Sequence, residues 1–306
     1  MSKIITVFGA TGLQGGSVIR AVQSHPQLSY EFRIRGVARD PSKPAAKKLA
    51  STGVDLVRAD LNDVDSMITA IKGSHTVFLV TQFEDSYSYD VEVQQGKNAA
   101  DACKRTGIEH MIFSSLVDIS QASNNVLTKV VHFDSKAHIE QYIRDIGLPA
   151  TFVLAGSYMQ NQFYTIRKAG DEYVLPLPAG DNMQFPLLDV ASDYGKFVNI
   201  ALLQRQDMLG KRIYAAQGYY RPSRIANELS EILNRPARVL ILPPEEFQKL
   251  MPATMAEDLT EMGQAFASPG YYGGADLKES QKLLQGKLKT WKDFVKHHAG
   301  RFLQDA

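Results

Sequence analysis

Cysteine is almost missing from this chain: Cys103 is the only one in 306 residues. That excludes an internal disulfide framework and any multi-cysteine zinc or iron–sulfur site, and it suits a reducing compartment. No excess of charge exists either, since 34 Lys+Arg stand against 33 Asp+Glu for a formal net charge of +1. Without a sequence-wide field to hold a polyanion or an acidic surface, neither direct nucleic-acid binding nor membrane binding is expected. Apolar runs stop far short of the ~20 residues a spanning helix needs. Repeats, low-complexity tracts and obvious linkers are missing, and the histidines have no acidic or cysteine companions at ligand spacing, so no metal is expected. A strand-like run begins directly after Met1-Ser2-Lys3, leaving no room for a leader, so the expected location is the cytoplasm or the nucleus. What remains, 44% apolar, 22% charged and 9% aromatic side chains, is the composition of a globular protein with an ordinary core.

The first half alternates short β-branched runs with amphipathic segments of helical period, the pattern of strand–helix–strand units. Strands are predicted over 4–8, 32–38, 54–59, 76–80, 111–115 and 151–155, and helices over 13–24, 44–51, 64–71, 91–105 and 133–146. Gly53, Gly73, Gly107 and Gly147 follow four of those helices, where glycine takes the left-handed cap conformation. Right-handed crossovers then give an α/β fold, a doubly wound Rossmann-type parallel sheet that binds ligands at its strand C-terminal ends. The rhythm breaks after Gly156. A nucleotide-binding domain is therefore expected over 1–156, with the chain returning to it near 187–217 through a helix capped by Asp189 or Ser192. A smaller α+β C-terminal lobe is expected over 157–306, with strands at 211–216 and 238–242, a helix at 221–233 and a last helix at 290–302.

Gly9-Ala10-Thr11-Gly12-Leu13-Gln14-Gly15-Gly16 joins the first strand to the first helix. A tight strand-to-helix turn under a pyrophosphate needs positive φ, close backbone approach and a small residue where helix meets sheet, and Gly9, Gly12 and Gly15 supply these. The helix start then faces the phosphates with free N–H groups and a positive dipole end. At the end of the second strand an NAD-selective site carries an acid, whereas this chain reads Ala38-Arg39-Asp40-Pro41-Ser42-Lys43. Arg39 can fork onto a 2′-phosphate and Lys43 can add charge, so NADP(H) is favoured over NAD(H). Asp40 reads as the cap of the next helix, and Arg33 and Arg35 as solvated flank.

The run Gly-Ala-Thr-Gly-Leu-Gln-Gly-Gly-Ser-Val at 9–18, Arg39-Asp40-Pro41, Val93-Gln94-Gln95-Gly96-Lys97, His132-Phe133-Asp134-Ser135-Lys136 and Tyr142-Ile143-Arg144-Asp145-Ile146-Gly147-Leu148-Pro149 together resemble the NmrA-like family of atypical short-chain dehydrogenase/reductases. The resemblance spans essentially the whole chain. It implies an NADP-binding protein, in a family that includes negative transcriptional regulators, a proposed redox sensor and working reductases. Carried over by motif, cofactor contacts fall on Gly9, Thr11, Gly12, Leu13, Gln14 and Gly15, on Arg39 and Lys43, on Asp60 and Leu61 beside the adenine, on Thr81, Gln82 and Phe83, on Lys136, and on Tyr158, Met159, Gln160 and Asn161. Gln94 departs from relatives that carry lysine there.

Short-chain reductases pair a tyrosine acid with a lysine one helical turn on and a serine at the preceding strand end. Here Lys136 and Ser115 (or Ser114) fit their slots, but His132 stands where the tyrosine belongs, and an imidazole beside an ammonium is mostly neutral and a poor proton donor. Tyr164 and Lys168 make a literal Tyr-x-x-x-Lys in the wrong place. Cys103 reads as a small apolar filler, Trp291 and Phe294 as packing, and Tyr271-Tyr272-Gly273-Gly274 as a solvated turn by default, or a loop that covers the cleft. Two readings follow. The first is a redox-responsive regulator whose nucleotide orders rim segments at 158–161 and 173–186. Its partner would be a transcription factor or signalling protein, with a homodimer as a further expectation. The second is an NADPH-dependent oxidoreductase of a small-molecule carbonyl, imine or enone, using Lys136, His132 and Ser115.

Overall fold

In a computed structural model, which describes residues 2–304, six strands alternate with helices along the first half of the chain. They are β1 (Lys3–Val7), β2 (Phe32–Ala38), β3 (Asp55–Arg58), β4 (Thr76–Leu79), β5 (His110–Phe113) and β6 (Ala150–Ala155). The last three are buried along their whole length, which is why they read as continuous apolar runs: a parallel strand covered on both faces has no polar side. Between them run α1 (Leu13–Ser24), α2 (Pro26–Glu31), α3 (Pro44–Ala50), α4 (Val64–Ile71), α5 (Tyr89–Thr106), α6 (Ile119–Ala122) and α7 (Val131–Asp145). Local chemistry sets several ends. Asp63 caps α4 by accepting from Asp65 and Ser66 N–H groups, Ser88 caps α5, and Gly107 closes α5 in the left-handed region at φ 67°.

Beyond β6 the chain makes β7 (Ser157–Tyr158), α8 (Gln162–Thr165), β8 (Arg167–Ala169), β9 (Glu172–Leu177) and β10 (Phe185–Leu188), then α9 (Val190–Leu203), α10 (Arg205–Met208) and β11 (Arg212–Ala215). Strand β11 joins the main sheet. Its seven-stranded order is β3-β2-β1-β4-β5-β6-β11, parallel throughout. Helix α9, capped by Asp189 through the Ser192 N–H, lies directly on α1. A Cβ at Gly195 would sit 2.3 Å from the Ser17 carbonyl oxygen, and Gly195 N–H donates to Ser17 Oγ at 3.0 Å.

The remaining elements are β12 (Gly218–Tyr220), α11 (Pro222–Leu233), β13 (Ala237–Ile241), α12 (Pro244–Gln248), α13 (Ala256–Ala267), α14 (Lys278–Lys282), α15 (Trp291–His297) and α16 (Ala299–Gln304). Two three-stranded sheets, β12-β10-β7 and β13-β9-β8, complete the strands. One apolar core, with Ile5, Val7, Ile19, Phe78 and Phe197, fills the sheet face under α1 and α9. The other begins at Leu79, Phe113 and Phe152 and runs without a break into Tyr173, Trp291 and Phe294. No helix among the described residues is long and apolar enough to cross a membrane.

Several expectations are corrected. The helix expected over 290–302 is interrupted at His298, which divides α15 from α16. Asp40 does not cap α3: its carboxylate accepts from Ser42 N–H and Oγ in a local turn, and Lys43 holds the cap position. Arg35 is not free flank, because its Nη1 donates to the Ala70 and Lys72 carbonyls at the end of α4. The 173–186 stretch is no rim loop, since it supplies β9 and the start of β10 and is largely buried.

Candidate functional site

The sheet order reverses between β1 and β4, so the crossovers leave on opposite faces and open a crevice above the strand ends. A cavity of about 630 Å³ occupies it, a volume ordinary for a small-molecule or cofactor site. Its floor is the glycine turn. Gly9 takes φ +64°, and a Cβ there would lie 2.8 Å from Val80 Cγ1. At Gly15 a Cβ would lie 2.2 Å from the Gly9 carbonyl oxygen, so only glycine lets α1 start against the turn. Gly12 is the N-cap and offers no side chain, and Leu13, Gln14 and Gly15 line the cavity. The first-turn N–H groups, which have no intrahelical partner, therefore lack a side-chain cap and suit an anion.

Arg39, past the end of β2, lines the same cavity, and its Nη1 lies 2.9 Å from Asp85 Oδ2. Lys43 does not share that position: it is exposed, at the start of α3, and off the cavity wall. Asp60 and Leu61 are on the wall, with Asp60 Oδ1 accepting from Asn62. Thr81, Gln82 and Phe83 leave β4 along the opposite wall. Of the expected contacts at 158–161, Tyr158 and Asn161 line the cavity, next to Ser157. Tyr158 Oη accepts from Gln14 Nε2 at 2.5 Å, and burial pushes its hydroxyl up to about 12. Met159 and Gln160 are not brought to the cavity. Met159 is buried in the core, and Gln160 bridges to Asp189 and Val190 at the start of α9.

Helix α7 carries the altered dyad. Lys136 Nζ is ion-paired with Glu92 and also approaches Thr81 Oγ1 at 3.3 Å. The fully buried Glu92 carboxylate additionally accepts from Ser135 Oγ. His132 Nδ1 lies 2.5 Å from Asp258 Oδ1 of α13, and the His132 backbone N–H donates to Asp258 Oδ2 at 3.2 Å. Lys136 and His132 thus each face a buried carboxylate of their own, Glu92 and Asp258. Ser114 and Ser115 are both on the cavity wall, and the Ser115 hydroxyl donates to Glu140 Oε2 at 2.6 Å. Tyr164, of the stray Tyr-x-x-x-Lys, is exposed and lies under Arg301, away from the crevice.

At the end beside Lys136 the wall turns apolar, with Phe83, Leu116, Phe133, Met262, Phe266 and Tyr271. Tyr271 and Tyr272 are buried, not solvated, with their hydroxyls donating to the Ala155 and Leu154 carbonyls. Sequence reasoning misses Asp85, Glu92, Asp258, Met262 and Phe266. Glu92 directly precedes the Val93-Gln94-Gln95 run, which is its one signal in the sequence. Asp258 is 126 residues from His132 and gave none.

Comparison with known proteins fits this geometry. A model of the NmrA-like family matches residues 1–295. An NmrA-like family domain-containing protein of Dictyostelium discoideum is 27% identical over 97% of this chain and 97% of its own length. An NmrA-like family domain-containing oxidoreductase of Malbranchea aurantiaca is 29% identical, covering 96% of each. Among solved structures, NmrA, a negative transcriptional regulator, in complex with NADP superposes with a TM-score of 0.81 at 26% identity, over 96% of this chain and 94% of that one.

Proposed function

We infer that this chain, which belongs to the NmrA-like family, binds NADP(H) in the switch-point crevice and acts as a redox-responsive regulator through protein contacts. One observation carries the nucleotide reading: the uncapped start of α1 and the Arg39 guanidinium open on the same cavity, so one ligand with phosphates at two places satisfies both. In this reading residues 1–156 with the returning 187–217 segment form the nucleotide-binding domain, and the rest of 157–306 forms the responding lobe. Gly9, Thr11, Gly12, Leu13, Gln14 and Gly15 would cradle the pyrophosphate, Arg39 the 2′-phosphate, Asp60 and Leu61 the adenine side, and Thr81, Gln82, Phe83, Lys136, Tyr158 and Asn161 the nicotinamide half. The nucleotide, when bound, supplies or accepts a hydride at its nicotinamide. Regulation is supported by α13, which brings Met262 and Phe266 to the cavity and Asp258 to His132. A change in the ligand's fit there shifts the lobe by no more than its differential affinity for the two states.

A second reading has its own support. The apolar chamber beside Lys136 suits a flat organic substrate, and with Nδ1 turned to Asp258 the other ring nitrogen of His132 has no hydrogen-bond partner among the described residues. In an NADPH-dependent oxidoreductase of a carbonyl, imine or enone, Lys136 would hold the nicotinamide ribose and His132 would move the proton. Ser115, on the same wall, would take part only as an acceptor, since its hydroxyl proton goes to Glu140.

Calorimetry with the oxidised and reduced forms of both coenzymes tests the shared premise. NADP(H) should bind more tightly than NAD(H), and Arg39→Ala should remove most of that preference, about tenfold for one lost charge-assisted contact. An unchanged ratio overturns the assignment of Arg39. Anaerobic incubation with NADPH and a panel of carbonyls and quinones separates the two readings: turnover abolished by Lys136→Ala selects the oxidoreductase. No turnover, together with a nucleotide-dependent change in protease sensitivity of α13, selects the regulator.

A further inference from the structure

Resting on the NADP(H) reading, we propose that Asp85 is a specificity-determining residue that competes with the 2′-phosphate for Arg39 and so narrows the preference for NADP(H) over NAD(H). Arg39 and Lys136 are the Lys and Arg side chains on the cavity wall, and Lys136 has the buried Glu92 as its partner. Arg39 is thus the cation left for the adenosine end, and Asp85 holds it at 2.9 Å. Glu84 lines the cavity beside Asp85, so the turn after β4 presents two carboxylates to this end. That turn is built firmly. Asp85 N–H donates to Gln82 O, Tyr87 N–H donates to Phe83 O at 2.8 Å, and Phe83 is buried against the Tyr87 ring.

A 2′-phosphate, carrying about two negative charges by analogy with other phosphomonoesters, meets Asp85 as a like charge and takes the guanidinium from it. The 2′-hydroxyl of NAD(H) is neutral and donates to a carboxylate, which is the service an acid performs at the end of the second strand in NAD-selective sites. Here a residue from the fourth strand's turn stands in that place. Asp85 therefore weakens one coenzyme and supports the other. The pair is solvent-facing, with side chains 71% and 39% exposed, so its effect is modest and falls with salt.

Binding of NADP(H) and NAD(H) to Asp85→Asn and Asp85→Ser, measured by calorimetry at low and high ionic strength, tests this. NADP(H) should tighten by about three- to tenfold in both variants at low salt, with a smaller gain at high salt, while NAD(H) is unchanged or weaker. An NADP(H)/NAD(H) ratio equal to wild type, or equal tightening of both coenzymes, overturns the role of Asp85 while leaving NADP(H) binding intact. Wild-type protein that binds neither coenzyme overturns the NADP(H) reading and this inference with it.

Discussion

Single residues in this chain are constrained by what touches them. Gly15 is the strongest case: a methyl group there meets the carbonyl of Gly9 and the amide of Ala10, which are backbone and cannot rotate away. Gly15→Ala should lower the urea midpoint by the equivalent of about 1–3 kcal/mol, as overpacking does, and abolish coenzyme binding in the same preparation. Gly12→Ala, whose Cβ would stand 3.3 Å from the Gly9 oxygen, should cost less. His110 shows a different constraint. It is fully buried on β5 against Thr151 Oγ1, and desolvation, aided by Arg205 and His75, pushes its imidazole down to about 3. The unfolded chain takes up a proton on this ring below about pH 6.5 while the folded chain does not. Stability should therefore fall as pH drops from about 6.5 toward 3, by about 1.4 kcal/mol per pH unit. Urea titrations at about pH 7.5 and about pH 5.5 should show this loss in wild type and a smaller one in His110→Asn.

At the scale of elements, Glu140 on α7 joins three of them. It accepts from Ser115 just past β5, from Arg144 on its own helix and from Arg212 on β11. Glu140→Gln should destabilise by about 1–3 kcal/mol in urea unfolding, because both guanidinium groups lose their carboxylate while staying partly hydrated. Its partners lie far apart in the chain, which marks what could be read beforehand. The six strands and five of the seven helices between them are legible because parallel strands and amphipathic helices have distinct periods, whereas α2 and α6, six and four residues long, are too short to show one; the glycine turn and Arg39 are legible because their work is local. Asp85, Glu92 and Asp258 were not, since an acid on a helix or turn looks solvated until a distant cation is folded against it. Lys43 erred the opposite way: it is near Arg39 in sequence, but the Asp40 turn points the chain away. Of the small sheets after Gly156, β13 is legible as the strand expected at 238–242, but β7, β8 and β12 are two or three residues long, too short to show any period.

For the whole molecule, the contacts between α13 and the start of α7 matter most. Asp258 holds His132, and Glu261 accepts from the Lys129 N–H at 2.7 Å. Asp258→Ala should make the 123–132 segment exchange amide hydrogens and suffer proteolysis faster, with the exchange of β4 and β5 unchanged. Equal protection in wild type and variant would show that this contact does not hold the lobe. Saturating NADP(H) should raise the thermal midpoint of both proteins, since a ligand that binds only the folded state stabilises it by mass action.

The descent of α9 onto α1 and of β11 onto β6 has a consequence for biosynthesis. A nascent chain that has emerged only as far as residue 156 still lacks the last strand of its sheet and the helix that covers Ile19 and Val22. Ribosomes must deliver about sixty more residues before that surface is shielded, and a transiently bare apolar face of this kind is what chaperones engage. Premature termination between the two points should leave an insoluble fragment, and the coenzyme-binding half cannot be borrowed as a detachable cassette by gene fusion unless the later segment is carried with it.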